Sequence, residues 1–192
     1  MDTILNSLMQ QLGGDTLRQL SGQLGTDDNS TQKAVNAALP VLIGALGRNA
    51  AKPTGARSLS KALARDHDGS VLDDIAGYLS GGGRPDDGAG ILRHTLGRKQ
   101  GKVEQGLSQV SGLDLGSIAK LLPLLAPLVM GMLGRTQRQQ GLDASGLAGL
   151  LGGERQQADS VLGDLGPLLG ALGSGGSSGG LMDLLGGLLG RR

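Results

Sequence analysis

Residues 4–48 recur as residues 91–135 at a constant offset of 87, without a gap. The two segments share 14 identities in 45 positions, among them Gly25/Gly112, Asp27/Asp114, Lys33/Lys120, Pro40/Pro127 and Arg48/Arg135. With 38 Leu and 37 Gly in 192 residues the chain matches itself by composition alone. Chance supplies only about one match in ten, however, and it does not supply paired Asp, Lys, Pro and Arg. After an indel of three, residues 70–75 pair with 160–165. A chain constrained in this way is expected to fold as two copies of one unit. The boundaries follow: a first repeat at 1–86, a second at 87–172, a Gly/Ser linker at 173–180 and a Leu-rich tail at 181–192.

Periodicity and punctuation give each copy the same helices. A short amphipathic helix (3–12; 90–98) leads through Gly to a second (16–24; 103–110), which Gly25 or Gly112 stops. Asp27 or Asp114 then caps a longer apolar helix running to Arg48 or Arg135. Pro40 and Pro127 fall inside it, where a missing N–H and a ring clash are expected to kink or split the helix. Two further helices complete each unit, at 56–66 and 70–80, and at 144–151 and 158–172. The expected fold class is all-α and compact, two homologous helical halves with helix-turn-helix-like elements and no sheet. One Tyr and no Phe or Trp make the core aliphatic, with Leu42, Leu46, Leu128 and Leu133 inside it.

Composition removes several chemistries. Eighteen basic against 17 acidic residues leave a net charge of +1, so no overall charge draws the chain to nucleic acid or an anionic membrane. Zero Cys excludes disulfides, thiolate zinc sites, iron-sulfur clusters and Cys nucleophiles. Two His are too few for a three-imidazole metal site. Asp2 stands where a secretory signal needs basic residues, and the expected location is cytoplasmic. The longest uncharged apolar run, residues 121–134, is interrupted by Pro123 and Pro127. It falls below the roughly 17 to 25 residues that span a bilayer, so it is expected to be a buried helix.

Local motifs fail on inspection. Asp66-His67-Asp68-Gly69-Ser70 resembles a calcium loop, but with Gly69 at position 6 the essential carboxylates fall on Ala64 and Ile75. The structural reading gives Gly69 the turn, Ser70 the next helix cap and Asp73 a place near that helix's positive end. Residues 97–103 mimic a phosphate loop with the first Gly one residue too close and Val103 in place of the magnesium-binding hydroxyl. Gly88-Ala89-Gly90 has Arg93 where the third dinucleotide Gly belongs. No nucleophile motif accompanies His67 or His94, and His67 reads as an ordinary histidine in a turn. The expectation is a non-enzyme with no catalytic, cofactor-binding or metal-binding residues.

Helix, Gly turn, Asp cap, helix is also what a helix-turn-helix DNA reader shows, with residues 28–39 as its second helix. That helix offers Asn29, Gln32, Lys33 and Asn36, whereas its repeat partner offers only Lys120 among Leu, Ile and Ala. The densest basic cluster is Arg93, His94, Arg98, Lys99 and Lys102. Candidate phosphate contacts are therefore Lys33, Arg93, Arg98, Lys99 and Lys102. In the tail, Leu181, Leu184, Leu185, Leu188 and Leu189 form one helical face. Gly186, Gly187 and Gly190 make that segment a poor isolated helix, which needs something to dock on, either its own chain or a neighbouring molecule.

The run from Leu20 to Asp27, the run from Ala37 to Leu46, and Asp66 through Asp74 together resemble the bacterial family catalogued as domain of unknown function 937, which includes the YidB-like proteins. The second copy resembles it through Gly90-Ile91-Leu92, Ser111 to Asp114 and Leu125 to Val129. The resemblance implies a compact all-helical fold that has been likened to homeodomains. It implies no activity and carries over no catalytic residues. The functional expectation is a non-catalytic helical interaction or self-assembly module, a homo-oligomer or a binder of protein partners through apolar helix faces. The alternative is a nucleic-acid binder of helix-turn-helix type.

Overall fold

Among the described residues, four Asp side chains start helices. Asp27 Oδ1 accepts the Ser30 N–H at 2.8 Å, and Asp114 Oδ1 accepts the Ser117 N–H at 3.0 Å. Asp74 and Asp143 do the same for Gly77 and Gly146, at 2.7 and 2.8 Å. Each bond satisfies an amide that a first helical turn leaves without an internal partner. A computed structural model describes residues 3–81 and 85–164. Its elements are α1 (Ile4–Gln11), α2 (Asp15–Leu24), α3 (Asp28–Ala50), α4 (Pro53–Asp66), α5 (Ile75–Ser80), α6 (Pro85–Thr95), α7 (Gln100–Ser111), α8 (Leu115–Gln139) and α9 (Ala144–Asp164), with 3-10 turns at Ser70–Leu72 and Gly97–Lys99. Every regular element among the described residues is helical, and the fold is all-α. The order α1-α2-α3 is matched by α6-α7-α8, and Gly25 and Gly112 end α2 and α7 with φ of 67° and 80°. Glycine enters that left-handed region at least cost, which is why the two stops could be read from sequence.

The prolines do not split the long helices: α3 and α8 each run through theirs as one helix. Pro40, Pro123 and Pro127 lack an N–H, so the carbonyls of Asn36, Ala119 and Pro123 lose their i+4 donor. The fold uses one of these. A Cβ on Gly88 of α6 would lie 2.0 Å from the Pro123 oxygen, so a Cα hydrogen of Gly88 points at a carbonyl that Pro127 has left open.

Other boundaries also differ from expectation, for local reasons. Helix α6 begins at Pro85 rather than residue 90, because proline suits a first helical turn. Residues 70–80 do not form one helix. A 3-10 turn at Ser70–Leu72 precedes α5, Asp74 rather than Ser70 supplies the cap, and Asp73 pairs with Arg135 instead of facing a helix end. Where two helices were expected at 144–151 and 158–172, α9 runs unbroken over Ala144–Asp164. The linker at 173–180 and the tail at 181–192 lie outside the described residues.

Helices from residues 4–80 and 85–164 interlock. Helix α3 packs most heavily along α9, while α8 takes α4 and the 3-10 turn at Ser70–Leu72 beside α6. Small residues at repeat-related positions permit both crossings. A Cβ on Gly134 would meet the carbonyl oxygens of His67 and Leu63 at 1.8 and 3.5 Å; one on Gly47 would meet the Leu151 oxygen and Arg155 Cβ at 3.0 and 3.2 Å. The residues opposite Gly134 and Gly47 lie 88 positions apart in the chain. Leu147, Leu151 and Glu154, at i, i+4 and i+7, form the buried stripe of α9. One apolar cluster extends through both copies, with Leu42, Leu46, Leu128 and Leu133 buried as expected. Among the described helices α8 has the length and hydropathy of a membrane span, and most of that stretch is buried within the body.

Candidate functional site

The loop that follows α4 is strapped to α8. Arg135 donates to the Gly69 carbonyl at 2.8 Å and pairs with Asp73, and Arg138 faces Asp68 at 3.8 Å. Asp68 in turn accepts the Ser70 N–H at 3.0 Å, while Gly69 takes φ of 87° against the backbone of Gly131. His67, the residue that closes α4, is therefore held with its carbonyl on Gly134 and its side chain half-buried. The expectation of an ordinary turn histidine is corrected by this packing, which no local pattern announces.

His67 and His94 line the same cleft. It has a volume of about 620 Å³ and lies among the end of α3, α4, α6 and α8. Its floor is apolar, from Leu46, Leu59 and Met130, and Asn49, Ser58 and Thr95 add neutral polar groups. Asp66, His67 and Gly90 continue into an adjoining hollow of about 510 Å³ that Asp86 and Asp87 complete. His67 closes α4 and His94 lies on α6, far apart in the chain, and only the packing of these helices brings them to one cleft.

Burial holds the His67 imidazole below its ordinary pKa, outweighing the attraction of Asp66 and Asp87 for a proton. Asp66 is held low by the bonds it accepts from Arg65, at 3.0 and 3.2 Å from Nε. Thr95 Oγ1 donates to the Ile91 carbonyl at 2.6 Å, which directs its proton away from both imidazoles. Among the described residues no group of three or more His, Asp or Glu is arranged to hold a metal ion. What the cleft offers is a desolvated floor with hydrogen-bonding walls.

The candidate phosphate contacts are all exposed. Arg93 ends α6, Arg98 and Lys99 form the turn at Gly97–Lys99, and Lys102 lies in the first turn of α7, so four of the five occupy one corner. Lys33 belongs to another element, α3, where Asn29 and Asn36 share its exposed face and Asp27 and Asp28 stand at the helix start. The candidate interaction residues Leu181, Leu184, Leu185, Leu188 and Leu189 lie outside the described residues. Leu115, at the start of α8, is the exposed large apolar side chain of the described body. Sequence reasoning missed Glu154: buried, it accepts the Ile4 and Leu5 N–H groups at 2.9 and 3.3 Å and so caps α1 from α9.

An all-helical body of this kind, with small-residue helix crossings, is a structural class rather than an activity. A family model described as bacterial protein of unknown function (DUF937) matches residues 6–137, and the chain belongs to that family. The match runs from α1 into α8. No curated protein and no solved structure matches the chain.

Proposed function

We propose that this protein is a non-catalytic, cytoplasmic helical assembly module built from two copies of one unit. The observation that carries the reading is the reciprocal crossing at Gly47 and Gly134, where each long helix receives a helix from the other copy across a small residue. A contact of this kind, the same surface used twice in opposite sense, is the kind by which two-fold symmetric homodimers associate. The body consumes its apolar surface internally, leaving the Leu face of residues 181–189 as the segment that reaches a second copy.

A second reading has one observation in its favour. Asn29, Lys33 and Asn36 lie exposed on one face of α3, behind a glycine turn and an Asp cap, as a base-reading helix requires. Salt separates the two readings, since phosphate contacts weaken steeply with ionic strength while apolar assembly holds or strengthens. Light scattering behind a sizing column, with and without a DNA duplex, is the test. Refractive-index detection is needed because the chain has one Tyr and no Trp. Assembly predicts a mass above 19.3 kDa that survives high salt. A monomer that shifts only with DNA at low salt would replace it with the second reading.

A further inference from the structure

The geometry points to the cleft between α4 and α6 as a binding site for a small amphipathic amine, an apolar body carrying one cationic nitrogen. The volume of about 620 Å³ is that of a ligand site, and its floor is built from core side chains that a ligand's apolar part would keep dry. Charge decides the polar end. Among the described residues that line the cleft there is no Lys or Arg, while Asp66 lies on its wall and Asp86 and Asp87 on the adjoining hollow. The Arg65 guanidinium offsets part of the Asp66 charge, and burial disfavours the cationic form of His67. A carboxylate or phosphate entering here would lose its water without gaining a positive partner; an ammonium group gains carboxylate and imidazole acceptors.

Gly90 provides the discriminating variant. It lines both hollows from the middle of α6, and a Cβ there would meet nothing within 4 Å. A side chain at 90 therefore projects into open cleft, and helix propensity favours it over glycine. The readout is equally specific, because the chain has two His and both line the cleft. The untagged full-length protein is titrated with 4-phenylbutylamine and with 4-phenylbutyrate while both imidazole proton resonances are followed by NMR. The amine is expected to shift both signals saturably, and the acid with the same body to leave them in place. Gly90→Leu should weaken the amine at least tenfold with an unchanged Tm, and Asp66→Asn should weaken it without blocking the cleft. Equal response to amine and acid, no saturation into the millimolar range, or undiminished binding by a folded Gly90→Leu protein would overturn the proposal.

Discussion

Gly134 of α8 lies against the backbone carbonyl of His67, so closely that a Cβ at 134 would stand 1.8 Å from that oxygen. The repeat-related Gly47 meets α9 less tightly, at 3.0 Å from the Leu151 oxygen. Elsewhere in a helix, glycine is a defect worth about 1 kcal/mol relative to alanine. Gly134→Ala should reverse that sign and destabilise by about 1 to 3 kcal/mol, since backbone has to move aside. Gly47→Ala should cost less. Gly22→Ala, on an exposed position where a Cβ meets nothing within 4 Å, should stabilise. Urea denaturation of the three variants gives the order.

The core has no aromatic reserve. Leu42, Leu46, Leu128 and Leu133 are each exposed by 4% or less. Replacing any one by Ala should cost about 2 to 5 kcal/mol, from lost transfer energy and the cavity left behind. Calorimetry checks it, and near-neutral values at all four would contradict the interlocked packing.

Glu154 ties the second copy to the first turn of α1. Glu154→Ala removes the acceptor for two buried amides, and should cost about 1 to 3 kcal/mol for the unsatisfied groups. Glu154→Gln retains one carbonyl acceptor and should fall between. Hydrogen exchange at Ile4 and Leu5 should accelerate in the same order.

Helix ends were legible in the sequence because they are local. Gly25 and Gly112 need only their own φ, and Asp27 and Asp114 reach a residue three positions away. Asp143 caps α9 by the same local rule, though the sequence reading named no cap there and drew the helix as two. That the prolines leave their helices unsplit was not legible, because the cost of a lost hydrogen bond depends on what lies outside the helix, here Gly88 beside the Pro123 carbonyl. His67 and His94 share a cleft, and Glu154 bonds Ile4, across long stretches of sequence. Periodicity assigns a residue to a face, but it does not say which element covers that face.

Acid should act in two stages. His67 has a folded pKa below its ordinary value of about 6.5 because it is half-buried, with Asp66 and Asp68 on its own loop and Asp87 on α6 beside it. The unfolded chain then binds the extra proton first, so stability declines as pH falls through about 6.5 and levels off below the folded pKa. Asp27 and Asp114 are held low by hydrogen bonds from Ser30 and from Ser117. Their contribution is intact above about pH 4 and is lost as pH falls through their folded values. His67→Gln should abolish the first stage and leave the second, as read by Tm against pH.

Deleting residues 173–192 tests the proposed assembly through the C-terminal Leu residues. The eight-residue Gly/Ser linker has a root-mean-square reach of roughly 16 Å, enough to carry residues 181–189 to an adjacent molecule. Burying each of its five Leu contributes up to about 1.5 to 3 kcal/mol before ordering costs. Light scattering on both proteins across a concentration series is the direct measurement. The account predicts a full-length mass that rises above 19.3 kDa with concentration, and a truncated protein that stays monomeric. A full-length chain that remains a monomer at every concentration, with a truncation that alters neither mass nor Tm, would contradict it.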